Sequence, residues 1–407
     1  MGGTDAPRLF IGGAVFDGTD MHEPGLGVLV VNGRVEAIAP SAAFEGFAGP
    51  VQDTTGATLL PGLVDAHVHL SFGADDDPDE ALGEVSSEAL TDRLSLRAGE
   101  TLRGGVVALR DCGGTGGPEF EVRDRIAAGQ LDGPRIRACG PIIRPGTDGF
   151  GDRVALPAAS GPALLEAVAR LATNGADFLN VMATEDPFDR SGAPGYTRDD
   201  LAGAVALARR HGKPVASNAQ HAEDIAGAAA AGVASIEQGS GLEEAGLALM
   251  LEQGTVLVPC LLARRNINRA LSAAATGSER YEQALALEER TRQACRRYAR
   301  AGGNVAMGTD CGAPGTPHGD NARELALLVD AGLPTQQALQ GATSIAADLL
   351  GLSDAGRIAR GARADLLVVA GDPLADIACV ADRAGHRALF LHGRPVAGNA
   401  RTATSSV

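Results

Sequence analysis

The stretch LLPGLVDAHVHL, residues 59–70, is a nearly continuous apolar run that ends in two histidines. Similar apolar runs recur along the chain and alternate with amphipathic stretches such as LLEAVARLATNGA (164–176). Parallel strands are buried on both faces, which explains such runs, and a strand–helix rhythm is typical of α/β folds. We therefore predict a (β/α)8 TIM-like barrel. Its eight strand segments are GLVDAHVHL (62–70), VVALRDCG (106–113), RIRACGPII (135–143), FLNVMA (178–183), PVASNAQ (214–220), SIEQGS (235–240), VLVPC (256–260) and NVAMGTD (304–310).

The two ends of the chain have a different texture, with short β-rich runs and NG and GG turn signals. RLFIGGAVFDG and GVLVVNGRVEAIAP lie near the start, and ADLLVVAGDP and RALFLHGRPV lie near the end. We predict that residues 1–60 and 355–407 form a small composite β-sandwich beside a barrel of residues 61–354. The alternative is two unrelated surface hairpins.

Length and charge limit the possible partners. The 407 residues suit a barrel of roughly 250–300 residues plus a smaller module. A net charge of −16 argues against nucleic acid or an anionic membrane as a partner. We expect a small-molecule substrate, and a homo-oligomer is possible.

The cysteines and the N-terminus indicate the cellular compartment. Six cysteines are scattered without a CxxC pair, which is typical of reduced, mostly buried thiols. The segment MGGTDAPRLFIGG has no basic region followed by an apolar one, and no apolar run approaches the ~18 residues that span a bilayer. We expect a cytoplasmic protein.

His67 and His69 end the first predicted barrel strand. Their spacing of two puts both side chains on one face of a strand, where two imidazoles can form half of a metal site. The alternative is a structural pair that hydrogen-bonds loop carbonyls.

Asp310 ends the eighth predicted strand, in AMGTDCG. In such barrels the chemistry gathers at the carboxyl ends of the strands. The carboxylate could bind metal, act as general base or orient a water molecule, and the alternative is a local cap.

These motifs resemble the amidohydrolase superfamily, and within it the imidazolonepropionase-like and Xaa-Pro dipeptidase-like subgroup. The resemblance covers nearly the whole chain. It is carried by LLPGLVDAHVHL, GVVALRDCGG, GADFLNVMAT, GKPVASNAQHAEDIAGAAAAGVASIEQGS, MGTDCGAPGTPHGDNARELALLVDAGL, ALQGATSIAADLLGL and GARADLLVVAGDPL.

The resemblance implies two metal ions held by six side chains, of which three match here: His67, His69 and Asp310. The other three positions carry amides. Asn180 stands where the family has a carboxylated lysine, and Gln220 and Gln238 stand where it has histidines. Asn cannot form a carbamate, and amide oxygens are weak zinc ligands. We therefore do not expect a binuclear centre.

Two states of the altered centre remain open. A single zinc-like divalent ion could bind His67, His69 and Asp310, with Gln220 assisting weakly and His221 in the loop over the pocket. Alternatively the pocket holds no metal, and the two histidines and Asp310 carry protons. A ring of amides would then bind a polar substrate or an oxyanion. Its members are Asn180, Asn218, Gln220 and Gln238.

Other substrate-side positions also depart from the family pattern. The loop after strand three reads IIRPGTDGFGD and contains Arg144 and Asp148. Glu185 and Asp186 follow strand four and could line the pocket or form a solvated acidic loop. Tyr196 and His318 occupy positions that resemble substrate-side residues of the family.

We interpret the chain as an enzyme whose inherited chemistry is hydrolysis of an amide or other C–N bond in a small polar molecule. One alternative is metal-independent acid–base chemistry of specialised metabolism, such as cyclisation, dehydration, isomerisation or a lyase reaction. Another is a non-catalytic pseudoenzyme that binds a ligand.

Overall fold

The computed structural model describes residues 6–75, 78–83, 85–146, 152–184, 195–275 and 277–397. Within these ranges no helix is both long and apolar enough to cross a bilayer. The described part of the chain alternates strands and helices through its middle and has mainly strands at both ends.

The strands are numbered in chain order. They are β1 Arg8–Ile11, β2 Ala14–Phe16, β3 Met21–His22, β4 Leu26–Val31, β5 Arg34–Pro40, β6 Val51–Asp53, β7 Ala57–Pro61, β8 Leu63–Val68, β9 Val106–Asp111, β10 Arg135–Ala138, β11 Ile142–Arg144, β12 Ala155–Pro157, β13 Leu179–Met182, β14 Val215–Ala219, β15 Ser235–Gln238, β16 Val256–Val258, β17 Leu366–Ala370, β18 His386–Leu391 and β19 Arg394–Pro395.

The helices are numbered in the same way. They are α1 Pro78–Leu82, α2 Ser87–Arg103, α3 Pro118–Ala127, α4 Gly161–Thr173, α5 Arg198–Arg210, α6 Ala222–Ala231, α7 Glu244–Gln253, α8 Leu261–Ala275, α9 Glu279–Arg300, α10 Glu324–Ala331, α11 Thr335–Gly341, α12 Ser344–Leu349 and α13 Ala378–Ala381.

The middle of the chain forms parallel sheets. One has the order β10-β9-β8, and the other has the order β12-β11-β13-β14-β15-β16. Every pairing within them is parallel, so the carboxyl ends of these strands share one edge. The sequence prediction of a parallel α/β arrangement is confirmed, and seven of its eight strand segments contain these strands.

The eighth predicted segment, residues 304–310, is extended chain with an isolated bridge at Val305 rather than a regular strand. It hydrogen-bonds on both sides. Leu257 N of β16 donates to Asn304 O at 3.0 Å, and Ala66 N of β8 donates to Met307 O at 2.8 Å.

Gly308 allows that close approach. A Cβ at this glycine would lie 2.2 Å from Val258 Cγ1 and 2.9 Å from His67 Cβ. Two residues later Asp310 has a φ of 57°, a left-handed conformation that costs a non-glycine residue energy and turns the chain. The segment is therefore irregular at the place where it delivers Asp310.

Strands from the two ends of the chain pair with each other. A six-stranded sheet with the order β19-β18-β17-β7-β2-β3 combines strands from both ends, with β17 antiparallel to β7. A second sheet, β5-β4-β1-β6, uses N-terminal strands. Phe10 of β1 meets Phe390 of β18 edge-to-face at 4.9 Å within a hydrophobic cluster that both sheets share.

The six cysteines are free thiols, five of them buried and Cys379 half-buried. This agrees with the expectation of reduced, mostly buried cysteines.

Candidate active site

The site begins with a buried contact between strands of the two parallel sheets. His67 lies in β8 and Glu237 in β15, and His67 Nδ1 is 2.7 Å from Glu237 Oε2. The side chain of His67 is 2% exposed and that of Glu237 is fully buried. The carboxylate therefore fixes the ring of His67 with Nδ1 as the donor and Nε2 turned the other way.

Glu237 is itself held by a buried cation. Arg110 Nη2 of β9 donates to Glu237 Oε1 at 2.6 Å, and the hydroxyl of Ser235 donates to the same oxygen at 2.5 Å. Arg110 also lies over the ring of Phe178, at 4.9 Å from its centroid. Burial would raise the pKa of Glu237, but Arg110 and His67 outweigh it and lower that pKa. Glu237 is therefore an anion that positions His67.

Three polar atoms meet at the other side of the His67 ring. His67 Nε2 is 3.3 Å from His69 Nε2, and Asp310 Oδ1 lies 3.7 Å from His67 Nε2 and 3.3 Å from His69 Nε2. His69 Nδ1 faces the carbonyl of Gly113 at 3.4 Å, which favours Nδ1 as its donor too. If both rings are neutral and protonated at Nδ1, their two Nε2 atoms and Asp310 Oδ1 are three acceptors that face one another. The cluster therefore requires extra protons or a cation.

The electrostatics of this cluster follow from its burial. Burial would lower the pKa of His67, but Cys112, Glu237 and Asp310 outweigh it and hold that pKa well above its usual range. Burial would raise the pKa of Asp310, but His69, His67 and Arg264 hold it well below its usual range. Asp310 is therefore ionised and attracts positive charge to this point.

The predicted amides Gln220 and Gln238 lie beside the cluster, and an arginine that the sequence reasoning did not single out engages both. Arg264 Nε donates to Gln238 Oε1 at 3.0 Å, and Arg264 Nη2 donates to Gln220 Oε1 at 2.5 Å. Gln220 Nε2 donates to Asn218 Oδ1 at 3.2 Å, and Gln238 Nε2 donates to Asp310 Oδ2 at 3.1 Å. The amides thus form a hydrogen-bonded chain from Arg264 to Asp310.

Asn180 of β13 is buried, and its Nδ2 donates to the carbonyl of Cys112 at 2.7 Å. Its Oδ1 is also buried and has no hydrogen-bond partner among the described residues. The next carbonyl along the chain, that of Gly113, faces His69. The turn after β9 therefore fixes both Asn180 and His69.

Three other predicted residues lie within the described ranges. His221 directly precedes α6, with Nδ1 3.6 Å from Asp224 Oδ2. Arg144 ends β11 and is buried. The hydroxyl of Tyr196 donates to Ala158 O at 2.9 Å. Asp148, Glu185 and Asp186 fall outside the described residues.

His318 supports the loop that follows β8. Its Nε2 donates to Phe72 O at 3.0 Å, and its Nδ1 lies 3.4 Å from the hydroxyl of Thr101. Burial lowers the pKa of His318 to about 4, so the ring is neutral near pH 7. These contacts tie His318 to the loop after β8, and its pocket-lining role stays a prediction.

Comparison with known proteins identifies the family of this chain. The model of the amidohydrolase family matches residues 58–396. The chain belongs to the amidohydrolase family. An uncharacterized protein of Mycobacterium tuberculosis (strain ATCC 25618 / H37Rv) is 32% identical over 377 residues, which cover 87% of this chain and 90% of that protein.

Two further similarities agree with the predicted subgroup. An imidazolonepropionase of Paracoccus denitrificans (strain Pd 1222) is 31% identical over 181 residues, 42% of this chain and 39% of that protein. The crystal structure of a Xaa-Pro dipeptidase with bound methionine in its active site superposes with a TM-score of 0.84 and 26% identity. The match covers 96% of this chain and 99% of that one. The predicted family is confirmed, and this amidohydrolase is a hydrolase.

The histidines and Asp310 of this amidohydrolase have the spacing that one metal ion requires. Tetrahedral zinc with bonds of about 2.0–2.1 Å separates its ligand atoms by about 3.3–3.4 Å. The three separations here are 3.3, 3.3 and 3.7 Å. His67, Cys112 and Glu237 also lie close enough to share an ion, but Glu237 is already bonded to Arg110 and Ser235.

Sequence reasoning missed three residues of the amidohydrolase site: Arg110, Glu237 and Arg264. Two of them left a signal. Arg110 and Glu237 are charged residues inside predicted buried strands, and buried charges need partners. Arg264 lies in a run of polar and apolar residues after strand seven that carries no comparable signal.

Proposed function

We propose that this amidohydrolase hydrolyses an amide or related C–N bond of a small polar molecule, with one zinc-like divalent ion held by His67, His69 and Asp310. The observation that carries the proposal is the set of three acceptor atoms with the separations of ligands on a single ion. The hydrogen bond from His67 Nδ1 to Glu237 supports it, because metal-binding histidines commonly donate their other nitrogen to a carboxylate.

A divalent ion, when bound, would lower the pKa of the attacking water. The chain's own residues move the proton. Asp310 is ionised and can accept the proton of the attacking water, then deliver it to the leaving nitrogen. Gln238 donates to Asp310 Oδ2 and so leaves Oδ1 turned toward the histidines.

A second ion does not fit the residues present. The oxygens of Gln220 and Gln238 already accept hydrogen bonds from Arg264. Asn180 has no amine that could form a bridging carbamate. We therefore propose a mononuclear centre.

We also propose a closed architecture around the centre. Residues 61–354 would form a closed (β/α)8 barrel, with the segment 304–310 bridging β16 and β8. Residues 1–60 and 355–407 would form the composite sandwich. The hydrogen bonds of Leu257 and Ala66 to that segment support closure. His67, Asn218 and Gln238 lie at or near the carboxyl ends of their strands, where barrel enzymes bind substrate, and Asp310 ends the bridging segment.

The similarity to a Xaa-Pro dipeptidase suggests the first substrates to test. Purified protein would be screened against dipeptides and N-acylated amino acids, with detection of the released amine. We expect hydrolysis that chelator treatment abolishes and zinc restores. Asp310→Asn should lower kcat by about 10²–10⁴-fold through loss of the proton acceptor.

Asp320→Asn is the matched control, because Asp320 is a partly exposed carboxylate that pairs with Arg323. It should retain wild-type activity. Turnover that persists in protein free of metal would favour metal-independent acid–base chemistry instead. Ligand binding without turnover would favour the pseudoenzyme.

A further inference from the structure

Arg264 brings a fixed cation into the site. It lies in the first turn of α8, directly after β16. That turn is anchored, since Leu261 N and Leu262 N donate to the buried carboxyl group of Glu324 at 2.9 and 2.6 Å. Cys260 precedes the helix with a φ of 54°, which turns the chain there.

Two amides clamp the guanidinium of Arg264. Its Nε donates to Gln238 and its Nη2 donates to Gln220, so two sides of the planar group are fixed. Gln238 also donates to Asp310 Oδ2, so one amide separates the guanidinium from the carboxylate. Arg264 Nη1 has no hydrogen-bond partner in the part of the chain that the structure describes. It retains donors for a ligand.

Arg264 engages the oxygens of two residues at family metal-ligand positions. Gln220 and Gln238 stand at two of the six positions where the resemblance implies ligands of a pair of ions. Both give their oxygens to the guanidinium rather than to a metal. A cation brought to this point would lose those oxygens and meet the like charge of Arg264.

We propose that Arg264 takes the place of the second ion and that its guanidinium receives the carbonyl oxygen of the substrate. This rests on the proposed function. Water adds to the carbonyl carbon, its proton passes to Asp310, and the π electrons move to the oxygen, which Arg264 stabilises by hydrogen bonds. When the carbonyl re-forms, the C–N bond breaks and Asp310 returns the proton to the nitrogen.

The first test counts ions and needs no substrate. The variant Asn180→Lys, Gln220→His, Gln238→His restores the family ligands, and it is compared with the same variant carrying Arg264→Ala. After loading with zinc, we expect one ion per chain with Arg264 present and two without it, by elemental analysis of folded protein. Two ions in the presence of Arg264, or one in both variants, would overturn the replacement of an ion by Arg264.

The second test uses the natural ligand set, so it remains decisive if the multiple variants do not fold. With a dipeptide or N-acyl amino acid that the wild type hydrolyses, Arg264→Ala should lower kcat by about 10²–10³-fold, as for loss of an oxyanion donor. Its zinc content should stay at the wild-type value. Added guanidinium chloride should restore part of kcat, and sodium chloride of equal ionic strength should not.

Arg265→Ala is the matched control, because Arg265 faces Glu288 and Asp330 instead of the amides. It should behave as wild type. A rise in KM with unchanged kcat in Arg264→Ala would show that Arg264 binds another anionic group of the substrate, which contradicts the assignment to the carbonyl oxygen. Correct ion counts without any amide hydrolysis would refute the proposed function but not the replacement of the ion.

Discussion

Replacing Glu237 by glutamine should weaken metal binding although it leaves His67, His69 and Asp310 in place. Glu237 Oε2 accepts from His67 Nδ1 at 2.7 Å, and Oε1 accepts from Arg110 at 2.6 Å and from Ser235. An amide has one oxygen, so its NH2 group must face either His67 or Arg110. If the NH2 group faces His67, two donors meet, because Nδ1 of the ring is protonated. Moving the ring proton to Nε2 would relieve this clash, but the proton would then occupy the nitrogen that binds the metal.

The expected size of the effect follows from these contacts. Loss of the carboxylate behind a metal-binding histidine weakens metal binding by about 10–100-fold, or about 1.4–2.8 kcal/mol. Arg110 would also lose its buried counter-charge, which costs about 3–5 kcal/mol of the free energy of unfolding. Chelator competition measures the zinc affinity, and urea unfolding of metal-free protein measures the stability.

Asp365→Asn is the control for this experiment, because Asp365 is a buried carboxylate that pairs with Arg363 instead of His67. It should leave zinc affinity within about twofold of wild type. Wild-type zinc affinity in Glu237→Gln would refute the role of Glu237 in orienting His67.

Three further changes test the surroundings of the site. Gly308→Ala places a Cβ against Val258 and His67, so we expect about 1–3 kcal/mol lower stability in urea and weaker zinc binding. Because the pKa of His318 falls from 6.5 to about 4 on folding, the unfolded chain binds a proton first as the pH drops. Up to about 3 kcal/mol of stability should be lost between pH 6.5 and 4, and His318→Gln should flatten this limb of the urea–pH profile. Burial raises the pKa of Glu324 from 4.5 to about 8, so the folded chain keeps this proton up to a higher pH than the unfolded chain does. Stability should fall by about 5 kcal/mol as the pH rises from 4.5 to 8, and Glu324→Gln should remove this fall.

The sequence predicted those parts of the fold and site that depend on local pattern. Apolar runs and their spacing located the strands that carry His67, Asn180 and Asn218, because burial on both faces demands such runs. The HxH spacing placed both imidazoles at one point, where their Nε2 atoms are 3.3 Å apart. The textures of the two ends favoured a module built from both, and β7 and β17 share a sheet.

The parts that sequence could not predict depend on contacts between distant residues. In a regular strand, the side chains of Glu237 and Gln238 would point to opposite faces. The φ of 70° at Gln238 breaks this alternation. Glu237 bonds to His67, and Gln238 bonds to Asp310. The pairing of Arg264 with two amides joins residues 44 and 26 positions apart. The role of His318 was predicted from its place in a motif, whereas its partners, Phe72 and Thr101, belong to other elements.

The proposed activity depends on a single divalent ion held by His67, His69 and Asp310. Crystals of protein loaded with zinc, measured at the zinc absorption edge, test it most directly through anomalous scattering. We expect one peak, at about 2.0–2.2 Å from His67 Nε2, His69 Nε2 and an oxygen of Asp310, with Gln220 and Gln238 still bonded to Arg264. Two peaks within about 4 Å of each other, or full zinc loading with no peak between these three side chains, would contradict it.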